Sequence, residues 1–191
     1  MALCFGDLHL SLRPPVARSA EVDWLESQEK QVAQLRKLKE KYECPILFAG
    51  DLFDRWNANS ECVNWAIKHM PEMIGVYGNH DLAYHQKEDI RKTSFWTMVE
   101  AKKIILLRPG KPLAIGPLLL FGFPYGTPVR PYKGPNTLAL KIAVVHSYLW
   151  TKGTGHPGAN PEHRLKAYRE RLVGYDIAVF GDNHKTVFVP S

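Results

Sequence analysis

Residues 73–81 read MIGVYGNHD, a short apolar run followed directly by Gly78, Asn79, His80 and Asp81. The apolar run is typical of a buried strand. The amide, imidazole and carboxylate groups that follow it are side chains that bind metal ions or transfer protons. Alone, Gly-Asn-His-Asp is also compatible with a hairpin turn. The stretch therefore becomes decisive only if other strands of the chain end in the same way.

Four further apolar runs, at 2–6, 46–50, 142–145 and 177–180, also end in polar residues. Their ends carry Asp7-Leu8-His9, Gly50-Asp51-Leu52-Phe53-Asp54, His146 and Gly181-Asp182-Asn183-His184. Each end alone is weak, since Asp and His are common turn residues. If the strands run the same way, however, all five ends meet at one edge of the sheet structure. Their repetition in order predicts a polynuclear metal site at that edge.

A sixth apolar run, at 118–123, is also typical of a buried strand. Helical patterns alternate with these six runs. Residues 21–42 place apolar side chains three, four or seven positions apart, and Ser60 is expected to cap a helix over 60–70. Asn-Pro-Glu at 160–162 predicts the start of another helix, which Gly174 would end. Strands that alternate with helices predict an α/β layered fold.

Two stretches are expected to be irregular loops. Residues 123–136 contain four prolines and two glycines, and residues 151–160 are rich in glycine. Proline and glycine interrupt regular structure. Because both stretches follow predicted strands, we expect surface connections or functional loops.

Composition limits the class of protein. The 191 residues carry 25 Lys+Arg against 19 Asp+Glu, a formal charge of +6, and we expect one domain over 1–191. Three cysteines, an odd number at wide spacing, argue against a fold held by disulfides and indicate a reducing compartment. Residues 1–5 are too short for the apolar part of a signal peptide, and no run reaches the length of a membrane helix. We therefore expect a cytoplasmic protein without a membrane partner.

In family order, these motifs resemble those of the calcineurin-like metallophosphoesterase superfamily. The resemblance runs from Asp7 to His184. It implies a two-sheet β-sandwich flanked by helices, with a dinuclear metal site where the strand ends meet. It also implies hydrolysis of phosphoester bonds. The motifs are specific for the superfamily and leave the substrate open.

The resemblance implies a role for each matching residue at a site of two divalent ions. The ligands of one ion would be Asp7, His9 and His184. The ligands of the other would be Asn79, His146 and Asp182. The bridging ligand would be Asp51, whose carboxylate has two oxygens. Water that bridges two divalent ions loses a proton near neutral pH and becomes the attacking nucleophile.

Two further residues match family positions that are not metal ligands. One is the catalytic histidine, which acts on the substrate phosphate, and the other is the acid that orients this histidine. His80 resembles the family's catalytic histidine and would stay off the metals. As an imidazolium it would stabilise phosphate charge or protonate the leaving oxygen. Asp54 resembles the acid that orients this histidine. Arg55 is either a phosphate contact or a surface residue.

Asp182 departs from the superfamily pattern, because the last motif is usually Gly-His-x-His. A carboxylate still binds hard cations, so we expect Asp182 to be a ligand and Mn²⁺ to be the preferred ion. Mg²⁺, Ni²⁺, Fe and Zn²⁺ remain alternatives. If Asp182 instead turns away, one ion is weakly held, and a catalytically weak scaffold becomes an alternative function.

The substrate is the least determined feature. Residues 7–10 and 50–54 resemble both the repair nucleases and the UDP-diacylglucosamine pyrophosphohydrolases, and His80 favours the nuclease branch. We expect phosphodiester hydrolysis, with nucleic acid or a nucleotide as substrate. A phosphomonoesterase or nucleotide pyrophosphohydrolase is the alternative. In the loop that contains Tyr125, Arg130, Tyr132 and Lys133, aromatic and cationic residues alternate, a composition suited to stacking bases. The oligomeric state is not indicated.

Overall fold

Eight strands form two four-stranded sheets in the computed structural model, which describes residues 1–185 and 188–189. The first sheet has the order β1-β2-β3-β4 and is entirely parallel. Its strands are β1 (Leu3–Phe5), β2 (Ile46–Phe48), β3 (Met73–Gly75) and β4 (Ile104–Leu106). The predicted strands at 2–6, 46–50 and 73–77 are confirmed and are shorter than expected, since their last residues already turn towards the site.

The second sheet has the order β5-β6-β7-β8. The strands β6, β7 and β8 are parallel, and β5 is antiparallel to β6. The bounds are β5 (Leu113–Ile115), β6 (Leu118–Phe123), β7 (Leu140–His146) and β8 (Ile177–Gly181). The strands that carry the predicted ligands therefore run in the same direction within each sheet, so their carboxyl ends lie at the same edge of that sheet. Neither β4 nor β5 is among the predicted strands.

The two sheets pack face to face. Leu47 and Ile74 from the first sheet share one buried apolar cluster with Leu120, Ile142 and Val144 from the second. All but Ile74 and Ile142 are completely inaccessible to solvent, and those two are at most 6% exposed. Burial of branched side chains on both inner faces holds the layers together. The predicted two-sheet α/β layered fold is confirmed.

Helices cover the outer faces. They are α1 (Trp24–Tyr42), α2 (Ser60–His69), α3 (Ser94–Glu100) and α4 (Leu165–Arg171). The first begins at Trp24 rather than at 21, because the Asp23 carboxylate accepts a hydrogen bond from the N–H of Glu26 at 2.8 Å. The cap of α2 is Asn59, not Ser60 as expected, since its side-chain oxygen accepts from the N–H of Glu61.

The helix predicted over 160–174 is divided. Asn160 caps a short 3-10 turn at Pro161–His163, and Arg164 is then extended before α4 begins. The interruption has a tertiary cause: the N–H of Leu165 donates to the carbonyl of Trp150, whose own N–H donates to His163. Pairing with Trp150 thus replaces helical hydrogen bonds at Arg164.

The two loops predicted to be irregular are confirmed, as neither 124–136 nor 151–160 contains a helix or strand. In the described part of the chain, no helix combines the length and the apolar character needed to cross a bilayer.

Candidate metal centre

Left-handed backbone turns redirect the chain at the strand ends. Asp7, His9, Asp51 and Asp182 have φ angles of 54°, 46°, 58° and 86°. For residues other than glycine this conformation costs about 1–2 kcal/mol each. All four are predicted metal ligands, so the candidate site holds local backbone strain, as functional sites often do.

The first predicted ligand set forms one cluster. Ligand atoms of Asp7, His9 and His184 all lie within 4.8 Å of one another. The Nε2 atoms of His9 and His184 are 3.3 Å apart. Burial lowers the pKa of His9 below its usual value, against the opposing charge of Asp51. Loss of the proton leaves its imidazole ready to bind a cation.

A second cluster contains Asp7, Asp51 and His146, again with ligand atoms within 4.8 Å. The side-chain oxygen of Asn79 lies 2.9 Å from Nε2 of His146. The Nδ1 of His146 donates to the carbonyl oxygen of Ala49 at 2.6 Å. This bond fixes the ring and directs Nε2 towards Asn79 and Asp51, the orientation that a metal-binding histidine requires.

Asp51 belongs to the second cluster and also lies next to the first. Its Oδ2 is 3.8 Å from Nε2 of His9 and 3.4 Å from Nε2 of His146. The side chain is 2% exposed. A carboxylate oxygen between imidazoles from different clusters is placed where a bridging ligand belongs. Burial raises the pKa of Asp51, but the hydrogen bond and charge of His146 outweigh it and lower the pKa below its ordinary value.

The pKa of His146 shifts in the opposite direction to the pKa of Asp51. Burial favours the neutral ring, yet the hydrogen bond and charge of Asp51, together with the Ala49 carbonyl, raise the pKa of His146 to about 9. A cation that binds here must displace this proton.

At Gly50 the backbone passes close to the ring of His146, and this close approach makes the second cluster possible. This residue has a φ of +96°, and a Cβ atom on it would lie 2.4 Å from Nδ1 of His146. Only glycine permits that conformation together with that contact.

Asp182 takes part through its main chain. Its N–H donates to Oδ1 of Asp7 at 2.9 Å. None of the candidate ligand clusters found among the described residues includes its carboxylate. Burial raises the pKa of Asp182 and also that of Asp7. Ligation by Asp182 therefore stays a prediction.

His80 is held at the same edge. Its main-chain N–H donates to Oδ1 of Asp51 at 2.9 Å, and its ring lies edge-on to that of His9, 4.6 Å between centroids. Nδ1 lies 2.7 Å from the main-chain carbonyl oxygen of Asp54. The expected partner was the Asp54 carboxylate, but that group extends towards His9, with Oδ1 4.0 Å from Nδ1. Asp54 thus positions His80 through the backbone.

Arg55 lies at the rim. Its side chain is 81% exposed, and Nε is 3.8 Å from Oδ2 of Asp54. Contact with a substrate phosphate stays a prediction.

Asp81 has no predicted role from the sequence, although it belongs to the Gly-Asn-His-Asp motif. It is completely buried. Its two oxygens accept hydrogen bonds from the main-chain N–H groups of Asp51, Leu52 and Gly78 at 2.9–3.1 Å, and more weakly from Phe53 at 3.4 Å. Burial and the nearby charge of Asp51 raise the pKa of Asp81 to about 7. Its place as the fourth residue of Gly-Asn-His-Asp was the available signal.

The donor set suits a pair of hard or borderline divalent ions. It offers carboxylate oxygens, imidazole nitrogens and one amide oxygen, without a thiolate. Asp7 belongs to both clusters, and Asp51 of the second cluster lies next to His9 of the first, so the two positions are adjacent.

The comparisons with known proteins agree with this geometry. The sequence model of the family described as calcineurin-like phosphoesterase matches residues 2–186. No curated protein matches the chain. The family match covers nearly the whole chain and includes every predicted ligand. The chain therefore belongs to the calcineurin-like phosphoesterase family, whose members are metal-dependent hydrolases of phosphoester bonds.

Proposed function

We propose that this protein hydrolyses phosphodiester bonds at a site of two divalent ions, with Mn²⁺ as the preferred ion. The observation that carries the proposal is the position of Asp51 Oδ2 between the imidazoles of His9 and His146, at 3.8 and 3.4 Å. One carboxylate placed in this way is suited to hold two ions close together.

When bound, two such ions activate a water molecule and neutralise charge on the phosphoryl oxygens. The chain supplies the remaining functions. Asp7, His9 and His184 would hold one ion, whereas Asn79 and His146 would hold the other with Asp182 as the proposed third ligand. Asp51 would be shared by both positions.

His80 is the proposed acid. Its Nδ1 is held by the Asp54 carbonyl, and in the described part of the chain Nε2 has no protein hydrogen-bond partner. As an imidazolium, His80 would donate the Nε2 proton to the leaving oxygen as the P–O ester bond breaks. Water supplies the hydroxyl group that remains on phosphorus.

The solvent exposure of the candidate metal site favours a diester as substrate. His184 is exposed and the Asp54 side chain is 48% exposed, so the site is open at one side. An open site accepts a bond within a long or flexible molecule. Arg55 is the observation that favours the alternative, a phosphomonoesterase, because its guanidinium would match the additional charge of a monoester.

The deciding experiment is turnover of bis-p-nitrophenyl phosphate against p-nitrophenyl phosphate, with Mn²⁺, Mg²⁺, Ni²⁺ and Zn²⁺ in parallel. Preference for the diester, greatest with Mn²⁺, is expected. Preference for the monoester would assign the phosphatase function. Absence of turnover with every ion, together with fewer than two bound ions per chain, would favour the scaffold.

A further inference from the structure

A cavity with a volume of about 510 Å³ lies beside the second sheet. Two segments form its walls, 108–112 between β4 and β5 and 127–133 after β6. Phe121 and Phe123 of β6 and Tyr175 complete the lining. Its size falls in the range of sites for small organic ligands. None of the predicted metal ligands lines it.

The lining includes a cluster of four aromatic rings. Phe121 packs edge-on against Tyr132 and Tyr175, with centroids 5.3 and 5.2 Å apart, and Phe123 packs against Tyr175 at 5.9 Å. Hydrogen bonds from Tyr132 to the Pro135 carbonyl and from Tyr175 to the Arg130 carbonyl fix two rings. The rings are thus preorganised, and Phe121 and Tyr132 are only partly buried.

The walls are cationic. Each segment contributes two exposed cations, namely Arg108 and Lys111, and Arg130 and Lys133. No Asp or Glu lines the cavity. Within residues 1–185 and 188–189, these four cations take part in none of the ion pairs found. Their charge is therefore available to a ligand that carries several negative groups.

We propose that this cavity binds a single strand of nucleic acid, with a base against Tyr132 and Phe121 and successive phosphates on the four cations. Aromatic surface combined with unpaired cations is the combination that single-strand binding sites use. The charge of one phosphate group does not require four cations to balance it, whereas the combined charge of several neighbouring phosphates of a strand does. A duplex keeps its bases stacked and cannot offer one to the rings.

One loop connects the cavity with the metal centre. Residues 124–136 begin next to the centre, where the Tyr125 N–H donates to the Tyr77 carbonyl and the Tyr125 ring lies 6.3 Å from that of His146. The same loop then supplies Arg130, Tyr132 and Lys133 to the cavity. As a statement about the substrate, the inference rests on the proposed phosphodiester hydrolysis; as a statement about binding, it stands independently.

The test measures affinity for a short single-stranded oligonucleotide that contains 2-aminopurine, whose emission is quenched when it stacks. The protein is the full chain with Mn²⁺ and the His80→Ala substitution, which suppresses turnover. Lys111→Gln with Lys133→Gln should weaken binding about tenfold or more. It should also reduce the slope of log affinity against log salt by about 1.4, about 0.7 for each lost phosphate contact.

The matched control removes the same charge elsewhere. Lys37→Gln with Lys41→Gln on the exposed face of α1 should leave affinity within about twofold, because long-range charge effects are screened by salt. An equal loss in the control pair would overturn the proposal, since it would show binding by net charge alone.

The aromatic part has its own test. Tyr132→Leu should weaken binding about fivefold or more and abolish the quenching, whereas Tyr132→Phe should retain both the affinity and the quenching. The thermal midpoint of each variant establishes that it is folded. Quenching unchanged in folded Tyr132→Leu, or equal affinity for a duplex or for inorganic polyphosphate, would overturn the proposal. Tight binding of a nucleoside triphosphate without the strand would do so as well.

The two proposals fail separately. If the unsubstituted chain hydrolyses bis-p-nitrophenyl phosphate but the cavity variants bind the strand normally, only this inference fails. If the cavity binds the strand and no diester is hydrolysed, only the proposed function fails.

Discussion

The buried carboxylate of Asp81 accepts a hydrogen bond from the main-chain N–H of Asp51 at 3.0 Å. The same Oδ2 atom accepts from Gly78 at 2.9 Å, so one carboxylate joins the loop after β2 to the loop after β3. The proposed bridging ligand and the segment that carries Asn79 and His80 are thereby held in register. Asp81 is a positioning residue for the centre.

Asp81→Asn should therefore disturb both stability and metal binding. The amide nitrogen would face two of the N–H donors that the carboxylate now satisfies, and each unsatisfied buried donor costs about 1–3 kcal/mol. We expect the free energy of unfolding to fall by about 2–4 kcal/mol in urea denaturation, with a lower metal content. Asp89→Asn, which affects an exposed pair with Lys92, is the control and should change stability by less than about 0.5 kcal/mol. Equal stability of both variants would contradict the role of Asp81.

Asp51→Asn tests the bridge. The substitution keeps the shape but removes the charge between His9 and His146, so the protein should bind at most one ion and lose turnover. Metal analysis after gel filtration gives the number of ions per chain. Two tightly held ions in the folded variant would show that Asp51 does not bridge.

His80→Ala separates chemistry from metal binding. Because the ring contacts Asp54 and His9 and is proposed to stay off the metals, both ions should remain. Turnover of the diester should fall by about 10²–10⁴-fold, the range for loss of a general acid. His156→Ala, in the exposed loop 151–160, is the control for loss of a histidine. Loss of metal from His80→Ala would reassign this residue as a ligand.

Metal binding should release a proton from His146. Its pKa is raised from 6.5 to about 9, so the folded protein without metal holds the imidazolium at neutral pH. The raised pKa of His146 stabilises the folded protein without metal. This contribution to the free energy of unfolding is fully present below pH 6.5 and is lost as pH rises through about 9. Metal affinity should change in the opposite sense and increase over this interval.

Titration calorimetry at pH 7.5 in buffers of different ionisation enthalpy measures this proton. We expect about one proton released by His146 for each ion bound at its position. A heat that does not depend on the buffer would show that His146 is already neutral.

Asp182→His restores the histidine that the family motif usually has. If the carboxylate is a ligand, this exchange should shift metal preference from Mn²⁺ towards Zn²⁺ or Ni²⁺, because imidazole is the softer donor. Asp182→Ala should lose one ion. Unchanged metal content and preference in both variants would show that Asp182 contributes only its main-chain bond to Asp7.

The strand ends explain how much the sequence could predict. An apolar run is a local pattern that identified six of the eight strands, and the Asp, Asn or His after five of them identified the residues of both clusters. The strands β4 and β5 escaped, since neither is followed by the Asp, Asn or His that marks the equally short β1, β2 and β3. The prediction of one continuous helix over 160–174 was wrong because the bonds that interrupt it at Arg164 come from Trp150, which lies outside the predicted helix.

The sequence by itself determined the layered fold, the family and the chemical types of the site residues, because these depend on order, spacing and side-chain identity. The tertiary structure decided which groups meet. It paired His80 with the carbonyl rather than the carboxylate of Asp54, gave Asp81 its role, and brought 108–112 next to 127–133 to form the cationic cavity. Such contacts join positions far apart in the chain, and their energies depend on burial and on distances that only folding sets.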